Sequence, residues 1–229
     1  MSPSAPLSVI IPTLDAAASL PATLAAVAER RGLVREIIIA DGGSRDATGS
    51  IAQAAGARLI AASRGRGAQL AAGAAAASGD WLFFLHADTW PEPGWADEVA
   101  RFIGDPEHRK RAGYLSYRLD DASPAARRLE RIVAWRSRVL GLPYGDQGLV
   151  IARDFYRALG GFPPLALMED VALARRIGRR RLVALKAGAI TSAARYRREG
   201  YLWRPLRNLG CLTLYFLGTP PRILARLYG

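Results

Sequence analysis

Four short apolar runs, each closed by a polar or turn residue and spaced by helix-length segments, constrain this chain most. They are residues 7–11 (LSVII, closed by Pro12), 36–40 (EIIIA, closed by Asp41), 58–61, and 81–85 (WLFFL, closed by His86). Each run is too short for a helix. The first, second and fourth are continuously apolar rather than alternating, as strands buried on both faces are. The segments between them read as helices. Ser19 is placed to cap one that begins at Pro21, another runs through Ile51 and Ala55, and an Ala-rich one follows Arg64-Gly65-Arg66-Gly67. A βαβαβαβ order of this kind implies a parallel sheet with right-handed crossovers.

Acids collect just past the strand ends: Asp15, Asp41 and Asp88. A solvated turn favours Asp for its own reasons. Three acids on one edge of an open α/β sheet mark the edge where ligands bind. At Asp41-Gly42-Gly43-Ser44, a carboxylate can accept the imide N–H of uracil or the N1–H of guanine, and Gly42 and Gly43 let the backbone approach a ring or ribose. Alternate residues leaving a strand share a face, so His86 and Asp88 of His86-Ala87-Asp88 can point at one ligand. The pair suits Mn²⁺ or Mg²⁺ held largely by diphosphate oxygens and water. A histidine hydrogen-bonded within a turn is the other reading of His86. Arg64 and Arg66 precede a helix N-terminus, where orphan N–H groups favour an anion such as a diphosphate; an exposed basic turn is the alternative. Glu169 and Asp170 open a helix after the glycine pair Gly160-Gly161. They serve either as ordinary first-turn acids or as a general base.

The remainder is less regular. An amphipathic helix is expected over residues 126–140, a strand over 148–152, a short helix over 154–159 and a helix from Glu169. No linker divides the 229 residues, a length one α/β domain can fill. The formal net charge is +12, nearly all of it Arg, with Lys only at Lys110 and Lys186. That balance attracts polyanions, but a nucleic-acid binder leaves the strand-end acids unexplained, since carboxylates repel phosphates. The lone Cys211 excludes an intramolecular disulfide. The N-terminus has no basic region ahead of the residue 7 strand, so no signal peptide is expected. The apolar stretch 209–217 is too short to span a bilayer, which points to a cytoplasmic protein. From residue 201 onward, Tyr201, Trp203, Leu206, Leu209, Leu212, Tyr215 and Phe216 recur at helical spacing with Arg204, Arg207, Arg222 and Arg226 around them. Such a segment either lies peripherally on an anionic membrane surface or packs on the domain.

The ordered motifs LSVIIPTLDAAASL, EIIIADGGSRDATGSIA, GRGAQLAAGAAAASGDWLFFLHAD, YRALGGF and MEDVALARRI resemble family 2 glycosyltransferases of the A-type fold. The resemblance is to a bacterial branch with His-Ala-Asp in place of Asp-x-Asp, and it runs from residue 7 to about 177. It implies an α/β, Rossmann-like fold with a mostly parallel central sheet and a C-terminal helical segment. The catalytic domain would fill residues 1–200, with a donor half to about 90 and an acceptor half from 91, followed by an amphipathic segment over 201–229. The resemblance further implies that Pro12, Thr13, Asp15, Asp41, Gly43 and Ala87 line the donor pocket and that Asp88, with His86, holds the metal. Asp170, paired with Glu169, would be the catalytic base. Residues 145–148, with Gln147 and Gly148, would form an acceptor-side loop. Arg195 and Arg198, with Arg64 and Arg66, would meet the donor phosphates. Two positions depart from the pattern. Ala16 stands where the family often has Glu, and His86 replaces the first metal-motif Asp.

The expected activity is therefore inverting, metal-dependent transfer from a UDP- or GDP-sugar to an acceptor hydroxyl, the acceptor being lipid-linked if the last segment lies on a membrane. The rival enzyme class is a nucleotidyltransferase, which would want a glycine-rich phosphate loop directly after the first strand. Pro12-Thr13-Leu14-Asp15 has none.

Overall fold

The computed structural model describes residues 6–28, 32–165, 167–221 and 223–224. Residues 1–5, ahead of the first strand, lie outside it, as do Arg222 and Arg226 of the expected basic C-terminal flank.

The first half follows the expected alternation: β1 (Leu7–Thr13), α1 (Leu20–Ala28), β2 (Val34–Asp41), α2 (Thr48–Ala54), β3 (Arg58–Ala61), α3 (Arg66–Ala76) and β4 (Trp81–Phe84). Strands β3, β2, β1 and β4 lie side by side and all run parallel. β1 is buried along its whole length. Pro12 is tolerated in this central strand because the β1–β4 pairing stops at Ile10, before a missing N–H would cost a ladder bond. Ser19 does not cap α1 by accepting a bond; its hydroxyl donates to the carbonyl of Ala16 (3.4 Å).

Three strands escape the apolar-run pattern. β5 (Thr89–Pro91) is only three residues long, β6 (Ala112–Leu119) carries polar and aromatic positions, and β8 (Leu182–Thr191) is rich in Ala and Gly. With β7 (Leu149–Ala152) they complete an eight-stranded sheet in the order β3-β2-β1-β4-β7-β6-β8-β5. β7 is antiparallel to both neighbours, and β5 is antiparallel to β8 at the far edge. The sheet is thus mixed but mostly parallel. α3 packs on β1 and β2, α4 (Trp95–Gly104) on β8, and α5 (Pro124–Trp135) on β6. The helix expected to run to residue 140 is α-helical only to Trp135. It then widens into one π turn, Arg136–Leu140, where the Ser137 hydroxyl donates to the Val133 carbonyl (2.9 Å).

α6 (Arg153–Ala158) leads to α7 (Glu169–Ile177), and after β8 come α8 (Ala194–Glu199) and α9 (Trp203–Phe216). α9 buries Cys211 and Leu212 against Leu142, Met168 and Val171. The expected basic flank is corrected here. Arg204 is buried, and both Arg204 (3.0 Å) and Arg207 (2.6 Å) pair with the one carboxylate of Glu199. Tyr201 also turns inward, stacking on Tyr196 and donating to Asp121 (2.7 Å). Among the described residues no helix is long and apolar enough to cross a membrane.

Candidate active site

The turn after β4, the distal parts of β6 and β8, the turn over Gly145–Gln147, the starts of α3, α7 and α8, and α9 surround one cleft of about 110 Å³. Outside the lining of this cleft, on the same C-terminal edge of the sheet, the loops after β1 and β2 are bonded to each other. Asp41 accepts from the Thr13 hydroxyl (2.8 Å), the Gly43 N–H (3.0 Å), the Ser44 N–H (2.8 Å) and the Ser44 hydroxyl (2.5 Å). Partial burial pushes its carboxyl up, but these bonds outweigh it and leave Asp41 below its ordinary range. Four bonds fill a carboxylate's acceptor sites, so Asp41 fixes the shape of the Gly43-Ser44 turn. A nucleobase N–H would have to share an oxygen with Ser44.

Asp15, held at φ 49, accepts from the Arg45 N–H (2.7 Å) and donates its own N–H to the Ser44 hydroxyl (2.9 Å). Beneath them the Gln69 amide of α3 donates to the carbonyls of Thr13 (2.6 Å) and Ala40 (3.0 Å), tying β1 to β2.

At the end of β4 the Thr23 hydroxyl of α1 donates to the Ala87 carbonyl (3.0 Å), which pins the His86-Ala87-Asp88 turn. His86 and Asp88 both line the cleft, as the strand-end spacing predicts. Burial drives the His86 imidazole down to about 4, Arg66 adding to the fall and Asp88 and Asp170 opposing it. The ring is therefore neutral near pH 7. Its Nε2 is buried with no hydrogen-bond partner among the described residues, and it faces Gly145, where any Cβ would strike the ring. Arg195 of α8 reaches Asp88 at 3.8 Å.

The acid pair at the start of α7 divides. Glu169 is fully buried and paired with Arg66, whereas Asp170 faces the cleft. Burial pushes the Glu169 carboxyl up, with Arg66 opposing. Glu169 is thus placed to position Arg66 rather than to touch a substrate. Asp170 accepts from the Gly145 N–H (2.9 Å) and the Val171 N–H (2.7 Å), leaving a lone pair on each oxygen. The preceding residue, Met168, is held in the left-handed region at φ 67, and that kink starts α7 facing the cleft.

Other expected site residues stand elsewhere. Gln147 is 1% exposed and fully engaged inside the fold, donating to the Leu115 carbonyl (3.2 Å) and accepting from Ser137 (2.8 Å). Gly148, at φ 62, is buried against Phe83 and Leu85. Neither lines the cleft, and nor do Pro12, Thr13, Asp15, Asp41, Gly43 or Ala87. Arg64 is exposed, and Arg198 points outward onto Glu199 (3.2 Å).

Asp146, which the sequence placed in the 145–148 loop without singling it out, does line the cleft, and its Oδ1 is buried without a partner among the described residues. Burial pushes its carboxyl up to about 6; Arg136 opposes the rise, and the Asp170 and Asp88 carboxylates add to it. Its one sequence signal was its place beside Gln147. Tyr117, Tyr144 and Tyr196, with Arg204 and Asn208 of α9, complete the wall.

Among the described residues no three His, Cys, Asp or Glu side chains converge closely enough to hold a metal ion by themselves. The donor set nevertheless fits a divalent ion bound with a diphosphate, since such an ion needs only one or two protein ligands. Asp88 offers a carboxylate, and His86 a neutral, unpartnered ring nitrogen on the same wall.

Three comparisons place these features. The sequence model of glycosyl transferase family 2 matches residues 8–142, more than half of the chain. The PGL/p-HBAD biosynthesis glycosyltransferases of Mycobacterium bovis and Mycobacterium tuberculosis are 40% identical over 108 residues, a match spanning 44% of this chain and only 42% of theirs. Glucosyl-3-phosphoglycerate synthase from Mycobacterium tuberculosis, solved with Mn²⁺, UDP and glucosyl-3-phosphoglycerate, has a TM-score of 0.61 at 24% identity. That likeness covers 80% of this chain and 70% of the synthase. A second structure of the synthase, with Mn²⁺, UDP-glucose and phosphoglyceric acid, scores 0.60 at 23% identity. At such identity the likeness establishes the fold, the mixed sheet of the A-type glycosyltransferases.

Proposed function

The chain belongs to glycosyl transferase family 2, and from that premise we propose that it transfers a sugar from a nucleoside-diphosphate donor to an acceptor hydroxyl with inversion. The observation that carries this reading is the convergence of Asp88, in the turn after β4, and Asp170, in the first turn of α7, on one cleft flanked by Arg66 and Arg195. Mycobacterial glucosyl-3-phosphoglycerate synthase, which shares the fold, binds UDP-glucose with Mn²⁺, and this supports a UDP-sugar here.

In the proposed step Asp170 takes the proton of the acceptor hydroxyl as its oxygen bonds to the anomeric carbon. The bond from that carbon to the diphosphate oxygen breaks, and the leaving nucleoside diphosphate departs with the electron pair. A Mn²⁺ or Mg²⁺ ion held by Asp88 and His86 would supply Lewis-acid stabilisation of that diphosphate. Arg66, anchored by Glu169, and Arg195, beside Asp88, add positive charge at the same place. Asp146 offers a buried acceptor to a substrate hydroxyl. Two carboxylates do not make this a glycosidase, because only Asp170 is assigned to proton transfer and Asp88 to the donor.

The β2 turn takes the nucleobase, with Asp41 favouring a base that carries an imide-type N–H. The test is calorimetry with UDP, GDP, CDP and ADP, with and without Mn²⁺. UDP or GDP is expected to bind tightest and only with the ion. CDP or ADP binding as tightly as both would remove the assignment of Asp41.

A further inference from the structure

Two helical faces carry large apolar side chains that are exposed among the described residues, Phe216 alone having a cation, Arg175, over its ring (5.1 Å). On α5 and its π turn, Ile132, Trp135, Val139 and Leu140 are exposed, Trp135 to 57%. On α9, Trp203 and Leu217 are three-quarters exposed, and Leu206, Leu209 and Phe216 about half. Their spacing, 132-135-139 on one helix and 203-206-209 on the other, puts each set on one helical face. The two helices flank one buried cluster, since Leu142, just past the π turn, packs with Cys211 and Leu212 of α9. Scattered exposed apolar residues are ordinary, but a row of them along one face of a helix marks an interaction site.

The charges on this surface have one sign. Arg128, Arg131 and Arg138 are exposed on the α5 and π-turn face, and among the described residues no carboxylate pairs with them. The one acid of that helix, Glu130, is buried beneath it, bonded to Arg127 (2.8 Å) and the Leu119 N–H (2.9 Å). Arg179 donates to the Arg138 carbonyl (3.0 Å), which brings the exposed Arg179–Arg181 turn to the same end. α9 contains no acid at all.

We propose that this surface seats on an anionic lipid bilayer, the apolar side chains at headgroup depth and the arginines on lipid phosphates. Indole rings favour the membrane–water interface, guanidinium grips phosphate bidentately, and the +12 net charge acts in the same direction. The surface does not include Arg204 or Arg207, which Glu199 holds, and that distinguishes it from the flank expected on sequence alone. Because α9 also lines the cleft through Arg204 and Asn208, a seated molecule opens its cleft beside the bilayer. The acceptor is then a hydroxyl borne by a membrane lipid, a consequence that rests on the glycosyl-transfer reading.

Co-sedimentation of the full chain with vesicles of phosphatidylcholine alone, or mixed with phosphatidylglycerol, tests the surface. Binding is expected only to the mixed vesicles, falling as salt rises. Replacing Arg128, Arg131 and Arg138 by Gln should weaken it about a hundredfold, at roughly 1 kcal/mol per arginine. Trp135→Glu with Trp203→Glu should abolish it. These positions are exposed, and an unchanged melting temperature will verify folding. Failure of the parent to bind mixed vesicles at low salt overturns the proposal, as does equal binding by the tryptophan variant. So does a sedimenting dimer that the tryptophan changes dissociate, which would make the surface a contact between two copies. Vesicle binding needs neither donor nor turnover, so it can fail while the transferase reading stands, and UDP binding can fail while vesicle binding persists.

Discussion

The two walls at the C-terminal edge of the sheet are built in opposite ways, and the first reaches the cleft only through Arg66. On the wall made by β1, β2 and α3, polar groups close on one another: Asp41 accepts four bonds, Gln69 bridges two strand ends, and Asp15 and Asp46 staple the two loops. On the wall made by the 145–147 turn, α7 and α9, two buried polar atoms of residues that line the cleft lack partners among the described residues: Asp146 Oδ1 and Asn208 Oδ1. An unsatisfied buried polar group costs about 1–3 kcal/mol. The first wall is therefore a finished mould, set before any ligand arrives. The second holds unspent hydrogen-bonding capacity that a substrate can take up, at the expense of stability in its absence.

Substitutions can break or sharpen that contrast. The largest effect is expected from Asp170→Asn, which keeps size and removes basicity. Transfer should fall by about 10²–10⁴ while calorimetric UDP binding is retained. Loss of UDP binding instead would merge the two walls into one donor site. Asp88→Ala should lower transfer by about two to three orders of magnitude and shift the Mn²⁺ titration upward; full activity in chelator would remove Asp88 from the metal.

On the finished wall, Gln69→Ala orphans the carbonyls of Thr13 and Ala40. It should cost about 1–3 kcal/mol in denaturant unfolding and weaken UDP binding with it. A stability loss without weaker binding would mean that the mould is not what the nucleotide reads.

The smallest effect has the opposite sign. The Asp146 carboxyl, pushed up to about 6 in the fold, binds its proton more tightly there than in the unfolded chain, where it titrates near 3.8. Its stabilising contribution is complete below about pH 4 and is lost as pH rises through 6. Asp146→Asn should therefore be more stable than the parent at pH 7, by about 1 kcal/mol after allowing for water in the cleft. The difference should vanish at pH 4. A variant no more stable than the parent at pH 7 would place that carboxyl in the finished class.

The same contrast decides what could be read from the sequence. β1, β2 and β4 were legible because buried strands write themselves as apolar runs, and the exposed edge strand β3 was placed to the residue by its position in the alternation. With them came the strand-end residues His86 and Asp88 and the arginine before α3. β6 and β8 were not legible. Their Lys, Ala and Gly content has little strand preference of its own, and they are strands because they pair with each other across about 70 positions of chain. Asp170 could be found from its helix start, but nothing local separates it from Glu169. Only the packing that buries Glu169 onto Arg66 does so. Asp146 and Gln147 are neighbours with opposite fates, and the π turn that captures Gln147 through Ser137 lies ten residues upstream.

The far-edge position of β5 has a consequence for how the chain is made. Thr89–Pro91 follows the His86-Ala87-Asp88 turn immediately, yet its strand partner is β8, and Thr89 meets Thr191 across 102 residues of sequence. At ribosomal rates of about 5–20 residues per second, the parallel wall can assemble some 5–20 s before β8 is synthesised. Through that interval Thr89–Pro91 has no strand to pair with, and Asp88 has neither Arg195 nor the Ser192 N–H that later donates to its carbonyl. A nascent chain released early would hold the bonded β1 and β2 loops and an incomplete His86-Ala87-Asp88 turn, so on the proposed assignment nucleotide binding should mature before chemistry does.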